Sequence, residues 1–153
     1  MHVTRAEVRV TVFVHDFLPL ERTTPPLAVA IRAAGARMIE RAIAKGRLPS
    51  PAVVDVGDVR DRDDVVVLPV RIRSEDVHAP FVVLDVDLQV APLAPGWTHL
   101  SLSGTFERND HGLGRRVDRL VDQRRTEAYL RSMLLDVAAE LDRAATPAEA
   151  AHV

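Results

Sequence analysis

Three stretches in the middle of the chain alternate apolar and polar residues with a period of two, and no other feature restricts the fold as much. In VVVLPVRIR, residues 65–73, Val66, Leu68, Val70 and Ile72 are apolar while Arg71 and Arg73 point the other way. In FVVLDVDLQV, residues 81–90, Val82, Leu84, Val86, Leu88 and Val90 share a face opposite Asp85 and Asp87. In THLSLSGTFE, residues 98–107, Leu100, Leu102 and Phe106 alternate with Ser101, Ser103 and Thr105, and Gly104 marks a bulge. Alternation of this kind belongs to half-buried strands, and several in succession predict an antiparallel sheet with one wet and one covered face. EVRVTVFV, residues 7–14, adds a first strand with Val8, Val10, Val12 and Val14 on one side. AVVDVGDVRD gives a weaker strand near residue 52, broken at Gly57. Pro69, which cannot donate to a ladder, implies an edge or an irregularity. The loop SEDVHAP, residues 74–80, makes the strands at 65–73 and 81–90 a hairpin, bringing the arginines toward the aspartates on the wet face.

Two segments have helical spacing instead. Leu27, Ile31, Ala34, Met38 and Ala42 recur every three or four residues, with Thr24 and Pro25 before them and Gly46 after, so a helix spans about 25–45. The second segment, GRRVDRLVDQRRTEAYLRSMLLDVAAEL, residues 114–141, is the natural cover for the sheet. On a helical wheel Leu113, Val117, Leu120, Val121 and Ala128 cluster, and Arg124 falls near the centre of that stripe. Leu130, Leu134, Val137, Ala138 and Leu141 define a second, rotated face. Arg124, Glu127 and Arg131 stand three and four residues apart and can pair among themselves. A buried Arg124 needs carboxylates, carbonyls or water around it. The order is strand, helix, about four strands, long helix: an α+β domain over residues 1–143, with a frayed tail at 144–153.

Composition removes several function classes. The chain has 153 residues and no cysteine, which excludes disulfides, thiolate metal sites and a cysteine nucleophile. With 20 basic and 22 acidic residues and one tryptophan, it offers neither a basic footprint nor a stacking platform for nucleic acid. No apolar run approaches the roughly 18 residues of a membrane span. The N-terminal MHVTRAEVRVTVFVHDF carries no apolar signal region, so the expected compartment is the cytoplasm. The six histidines are scattered without metal-ligand spacing, His99 and His111 read as surface residues, and neither metal nor cofactor is expected. The aspartates of DVGDVRDRDD read as a solvated loop.

The segment LSGTFERNDHGLGRRVDRLVDQRRTEAYLRSML resembles the end of many bacterial proteins of the SRPBCC superfamily, the START, Bet v 1 and polyketide cyclase relatives. The matching residues are Ser103, Gly104, Phe106, Gly112, Gly114, Asp118, Arg119, Arg124, Glu127 and Arg131, while Gln123 stands where that pattern often has histidine. The resemblance implies a helix-grip, a curved antiparallel sheet wrapped around the long C-terminal helix, with a cavity between them in many members. It thereby implies Arg124 turned toward the concave face. The function expected is binding of a small apolar ligand between the helix and Val66, Leu68, Val70, Leu84, Val86, Leu88, Leu100 and Leu102. Two alternatives stand beside it: a cyclase or hydratase with Arg124 and Glu127 as polarising and acid–base groups, and an interaction module, a homodimer with its cavity filled by its own side chains.

Overall fold

The computed structural model describes residues 9–19, 27–44, 48, 51–94, 96–109 and 119–145. Strand β1 (Arg9–Leu18) is followed by helix α1 (Leu27–Ala44), strands β2 (Ala52–Val56), β3 (Arg60–Arg62), β4 (Val65–Ser74), β5 (Phe81–Ala94) and β6 (Trp97–Arg108), and helix α2 (Arg119–Ala145). The strands form one antiparallel sheet in the order β1-β6-β5-β4-β2, with β3 also on β4. The first and last long strands are thus neighbours, and the sheet curves around the helices as a helix-grip.

The alternation read from the sequence sets the two faces. Val10, Val12, Val14, Val66, Leu68, Val70, Ile72, Leu84, Leu88, Leu100, Leu102 and Phe106 are buried on the concave side. Each such side chain contributes about 1.5–3 kcal/mol to folding. Val82 departs from the expectation. A register shift between Phe81 and Val83 turns Phe81 inward, fully buried, and leaves Val82 half-buried.

Gly104 departs too. The β5–β6 register runs through it without a break, opposite Val86, and the irregularities lie at Phe81/Val83 and Pro92/Ala94. The glycine is there because the strands approach closely: a Cβ on Gly104 would overlap the carbonyl oxygen of Asp85. Pro69 lies in β4, one strand in from the edge, and the irregularity it demands falls on its neighbour. Opposite it the edge strand splits into β2 and β3, and the Gly57 N–H donates to the Pro69 carbonyl at 2.8 Å. The aspartate-rich loop contains the short strand β3, whose residues are all exposed, followed by a turn in which Asp63 takes a left-handed φ of 56°.

Two helices share the concave face: α2 lies over β1 and β6, α1 over β4 and β2, and the helices touch each other. Gly35 lets α1 settle onto β4, since a side chain there would meet Leu68. Ile31, Ala34, Met38 and Ala42 are buried as their spacing requires. The cap residues Thr24, Pro25 and Gly46 lie outside the described residues, as does the tail beyond 145; residues 144 and 145 still belong to α2. Glu140, 2% exposed, locks the helix pair: Arg41 and Arg143 reach its Oε1 at 2.5 and 2.7 Å, and Arg37 its Oε2 at 3.4 Å.

Candidate functional site

The side of α2 that meets the sheet is not the one expected for its first half. Its buried residues are Asp122, Thr126, Leu130, Met133, Leu134, Val137, Ala138, Glu140 and Leu141. The second-half face of Leu130, Leu134, Val137, Ala138 and Leu141 is as expected, and it continues backward in regular four-residue steps through Thr126 to Asp122. Leu120 and Val121 are instead 46% and 45% exposed, and Ala128 is exposed. Arg124 is exposed, which corrects the inward orientation expected of it. Leu113 and Val117 lie outside the described residues. The physical reason is that one straight helix can present only one stripe, and the long apolar half set its rotation. The short half then buried two polar residues, one of them an acid with a counter-ion available.

That counter-ion is Arg108 at the end of β6, whose Nε donates to Asp122 Oδ2 at 3.0 Å; the Asp122 side chain is 1% exposed and that of Arg108 26%. One turn further along, Thr126 Oγ1 is buried and has no hydrogen-bond partner among the described residues. Tyr129 packs edge-to-face on Phe81, ring centres 6.3 Å apart. Asn109, also buried, donates through its side chain to the carbonyls of Asp76 and Val77, tying the β4–β5 connection to the end of β6. Arg125 binds the same connection at the His78 carbonyl, 2.8 Å away. The interior of the grip therefore has a polar end at Asp122, Arg108, Thr126 and Asn109, and a remainder that is mostly apolar, with Thr98 and Ser74 among its buried residues. Val86, Leu88, Leu100 and Leu102 lie in that remainder, with Leu88 opposite Leu102 and Val90 opposite Leu100.

Arg124, Glu127 and Arg131 are gathered on the opposite side of α2. With Ala128, Ser132 and Leu135 they line an open groove of about 440 Å³. Glu127 and the neighbouring Gln123 bind the free edge of β1: the Phe13 N–H donates to Glu127 Oε2 at 3.5 Å, and Gln123 Nε2 donates to the Thr11 carbonyl at 3.1 Å. Blocking a sheet edge in this way guards it against pairing with another chain. Arg124, Glu127 and Arg131 thus bear on the sheet's edge or the open groove, while the aliphatic candidates Val66, Leu68, Val70, Leu84, Val86, Leu88, Leu100 and Leu102 line the concave face.

The convex face carries the charges foreseen for the hairpin. Arg71 pairs with Asp85 at 2.6 Å, as their register requires, and Arg9 reaches the same carboxylate from β1 at 2.7 Å. Burial pushes the Asp85 carboxyl up, but the hydrogen bonds and charges of Arg71 and then Arg9 outweigh it and hold the group below the usual carboxylate range. The hydrogen bond to Asp85 likewise raises Arg71 above its ordinary value. Arg73 turns to Asp55 instead, 3.5 Å away. Around these residues Asp55, Pro69, Arg71, Asp85, Asp87 and Ser103 line a second open hollow, of about 400 Å³.

Asp122, Arg108 and Thr126 are polar and so fall outside the apolar stripe by which a packed helix face is recognised. The spacing 122, 126, 130, 134, 138 was the available signal. Among the described residues no group of three metal-ligating side chains occurs, and no helix is long and apolar enough to cross a membrane.

No family model matches the chain, and no curated protein does. Solved structures do. The Zhui aromatase/cyclase from Streptomyces sp. R1128 is 12% identical over 94% of this chain and 98% of its own, with a TM-score of 0.43. TTHA0849 from Thermus thermophilus is 15% identical over 88% and 99%, with a TM-score of 0.48. Ara h 8.0201 is 13% identical over 86% and 99%, with a TM-score of 0.43. At these identities the likeness is one of fold. The helix-grip architecture is read from the chain's own strand order and from the two helices on the concave face.

Proposed function

We propose that the chain binds a small, largely apolar molecule carrying one hydrogen-bonding group, held between the sheet and the N-terminal half of α2, without performing chemistry on it. The observation that carries this reading is the buried Thr126 hydroxyl, which has no hydrogen-bond partner among the described residues. Leaving such a group without a partner costs about 1–3 kcal/mol, and a ligand oxygen or nitrogen would recover it. Binding sites of this kind are mostly apolar with a few convergent polar groups, and Leu100, Leu102, Val86 and Leu88 would supply the apolar wall. Met133, two turns along from Thr126 and fully buried, is the unbranched side chain best able to yield room. In this reading Arg124, Glu127 and Arg131 contribute from outside, through the groove they line and the edge contact of Glu127, and the protein works in the cytoplasm. A second reading, an interaction module with a filled core and a homodimeric state, is favoured by the complete burial of Leu68, Leu84, Leu88, Leu100 and Leu102.

The test pairs native mass spectrometry of protein purified from the organism that makes it with a Thr126→Val variant. Binding predicts a retained small-molecule adduct that the variant loses. It also predicts that the ligand-free variant is more stable than the parent by about 1–2 kcal/mol, because the unpaired hydroxyl is gone. A bare spectrum together with an unchanged or lowered stability would defeat the proposal. A bare dimer would instead support the second reading.

A further inference from the structure

On the convex face, away from the grip, four rings gather at the junction of β1 and β6. Phe13, His15 and Phe17 are alternate residues of β1, and His99 stands opposite Phe17 on β6. His15 lies 5.2 Å from Phe13 and 5.6 Å from Phe17, centre to centre, and His99 lies 4.9 Å from Phe17. Phe13 and Phe17 are 50% and 48% exposed. Between them His15 Nδ1 and His99 Nε2 face each other at 3.2 Å.

We infer that His15 and His99 form a two-imidazole site for a divalent first-row transition ion such as zinc. Two nitrogens bound to one tetrahedral ion at about 2.0–2.1 Å each are separated by roughly 3.3–3.4 Å, so the pair already spans the required bite. The antiparallel register makes the two residues diagonal neighbours, since Phe17 pairs with His99 and Ser101 with His15 on adjoining strands. Coordination needs both rings to carry their protons on the outward nitrogens, His15 Nε2 and His99 Nδ1, leaving the two facing nitrogens as donors. The flanking phenyl rings pack against the imidazoles, Phe13 on His15 and Phe17 on both. No third ligating side chain stands with them among the described residues, so water or an added ligand fills the two remaining positions, one more than in an open three-ligand zinc site. Imidazole donors suit zinc, copper and nickel and discriminate against magnesium and calcium. Binding is accordingly weaker than at a closed four-ligand site.

The experiment is isothermal titration of the full chain with zinc chloride, beside His15→Ala, His99→Ala and a His78→Ala control, each checked for folding by circular dichroism. The expected result is one ion per chain, with each of the two site variants losing more than the ~10–100-fold that removal of an outer-shell partner costs. His78→Ala should bind as the parent does, and magnesium chloride should give no heat. Absence of zinc binding, or binding that survives either His15→Ala or His99→Ala, would overturn the inference.

Discussion

Gly104→Ala is expected to lose about 4 kcal/mol of folding stability, more than the ~1–3 kcal/mol usual for an added methylene in a packed core. Most added methyl groups in a core meet the ends of side chains, which can move. Here the new Cβ would overlap the Asp85 carbonyl oxygen and press on the Val86 Cα, both backbone atoms of the neighbouring strand. Relief requires β5 and β6 to separate where their register is otherwise unbroken. For a domain of this size the loss corresponds to a fall in Tm of about 8–16 °C. Urea unfolding followed by circular dichroism measures it. Ser103→Ala, one residue away on the convex face, should stay within about 0.5 kcal/mol of the parent. A Gly104→Ala protein as stable as the Ser103→Ala control would mean that the strands do not approach as described.

Glu140→Ala is expected to cost about 2–4 kcal/mol, and the loss should shrink as salt is added. Its carboxylate is 1% exposed and holds Arg37, Arg41 and Arg143, whose side chains are 63%, 36% and 57% exposed. Removing the acid leaves three like charges facing one another where α1 meets α2. Because those guanidiniums are partly in water they can turn outward, so the cost falls below that of a fully buried orphan charge, and salt screens their repulsion. Glu140→Gln keeps the shape and removes the charge, and it should recover little of the loss. A Glu140→Gln protein as stable as the parent, at low and high salt alike, would show that packing and not charge joins the two helices.

The sheet was legible in the sequence because burial on one face forces a period of two, and that pattern survives without knowledge of partners. Leu68, Leu88 and Leu102 needed nothing more to be placed on the concave side. The Arg71–Asp85 pair was legible as well, since a hairpin brings opposite residues together. What failed did so where a long-range partner decides. The rotation of the first half of α2 was read from Leu120 and Val121, but Asp122 is buried because Arg108 is waiting for it. Nothing local to the helix reveals that. Glu140 was hidden in the same way, as its partners Arg37 and Arg41 lie about a hundred residues earlier. His15 and His99, 84 residues apart, showed no ligand spacing along the chain although the sheet sets them side by side. Gly104 is ambiguous in the sequence, since a glycine within a strand marks either a bulge or a close approach, and only the register distinguishes them.

The side of α2 that grips the sheet decides which residues a ligand in the interior would meet, and the absence of cysteine from the chain allows a direct measurement of it. Single thiols introduced as Arg124→Cys and Thr126→Cys can be timed against a soluble disulfide reagent, with the urea-unfolded variants as references. The thiol at 124 should react at close to its unfolded rate, and that at 126 at least ~100-fold more slowly, limited by opening of the helix from the sheet. A protected thiol at 124 beside a fast one at 126 would place the arginine in the interior and contradict the account.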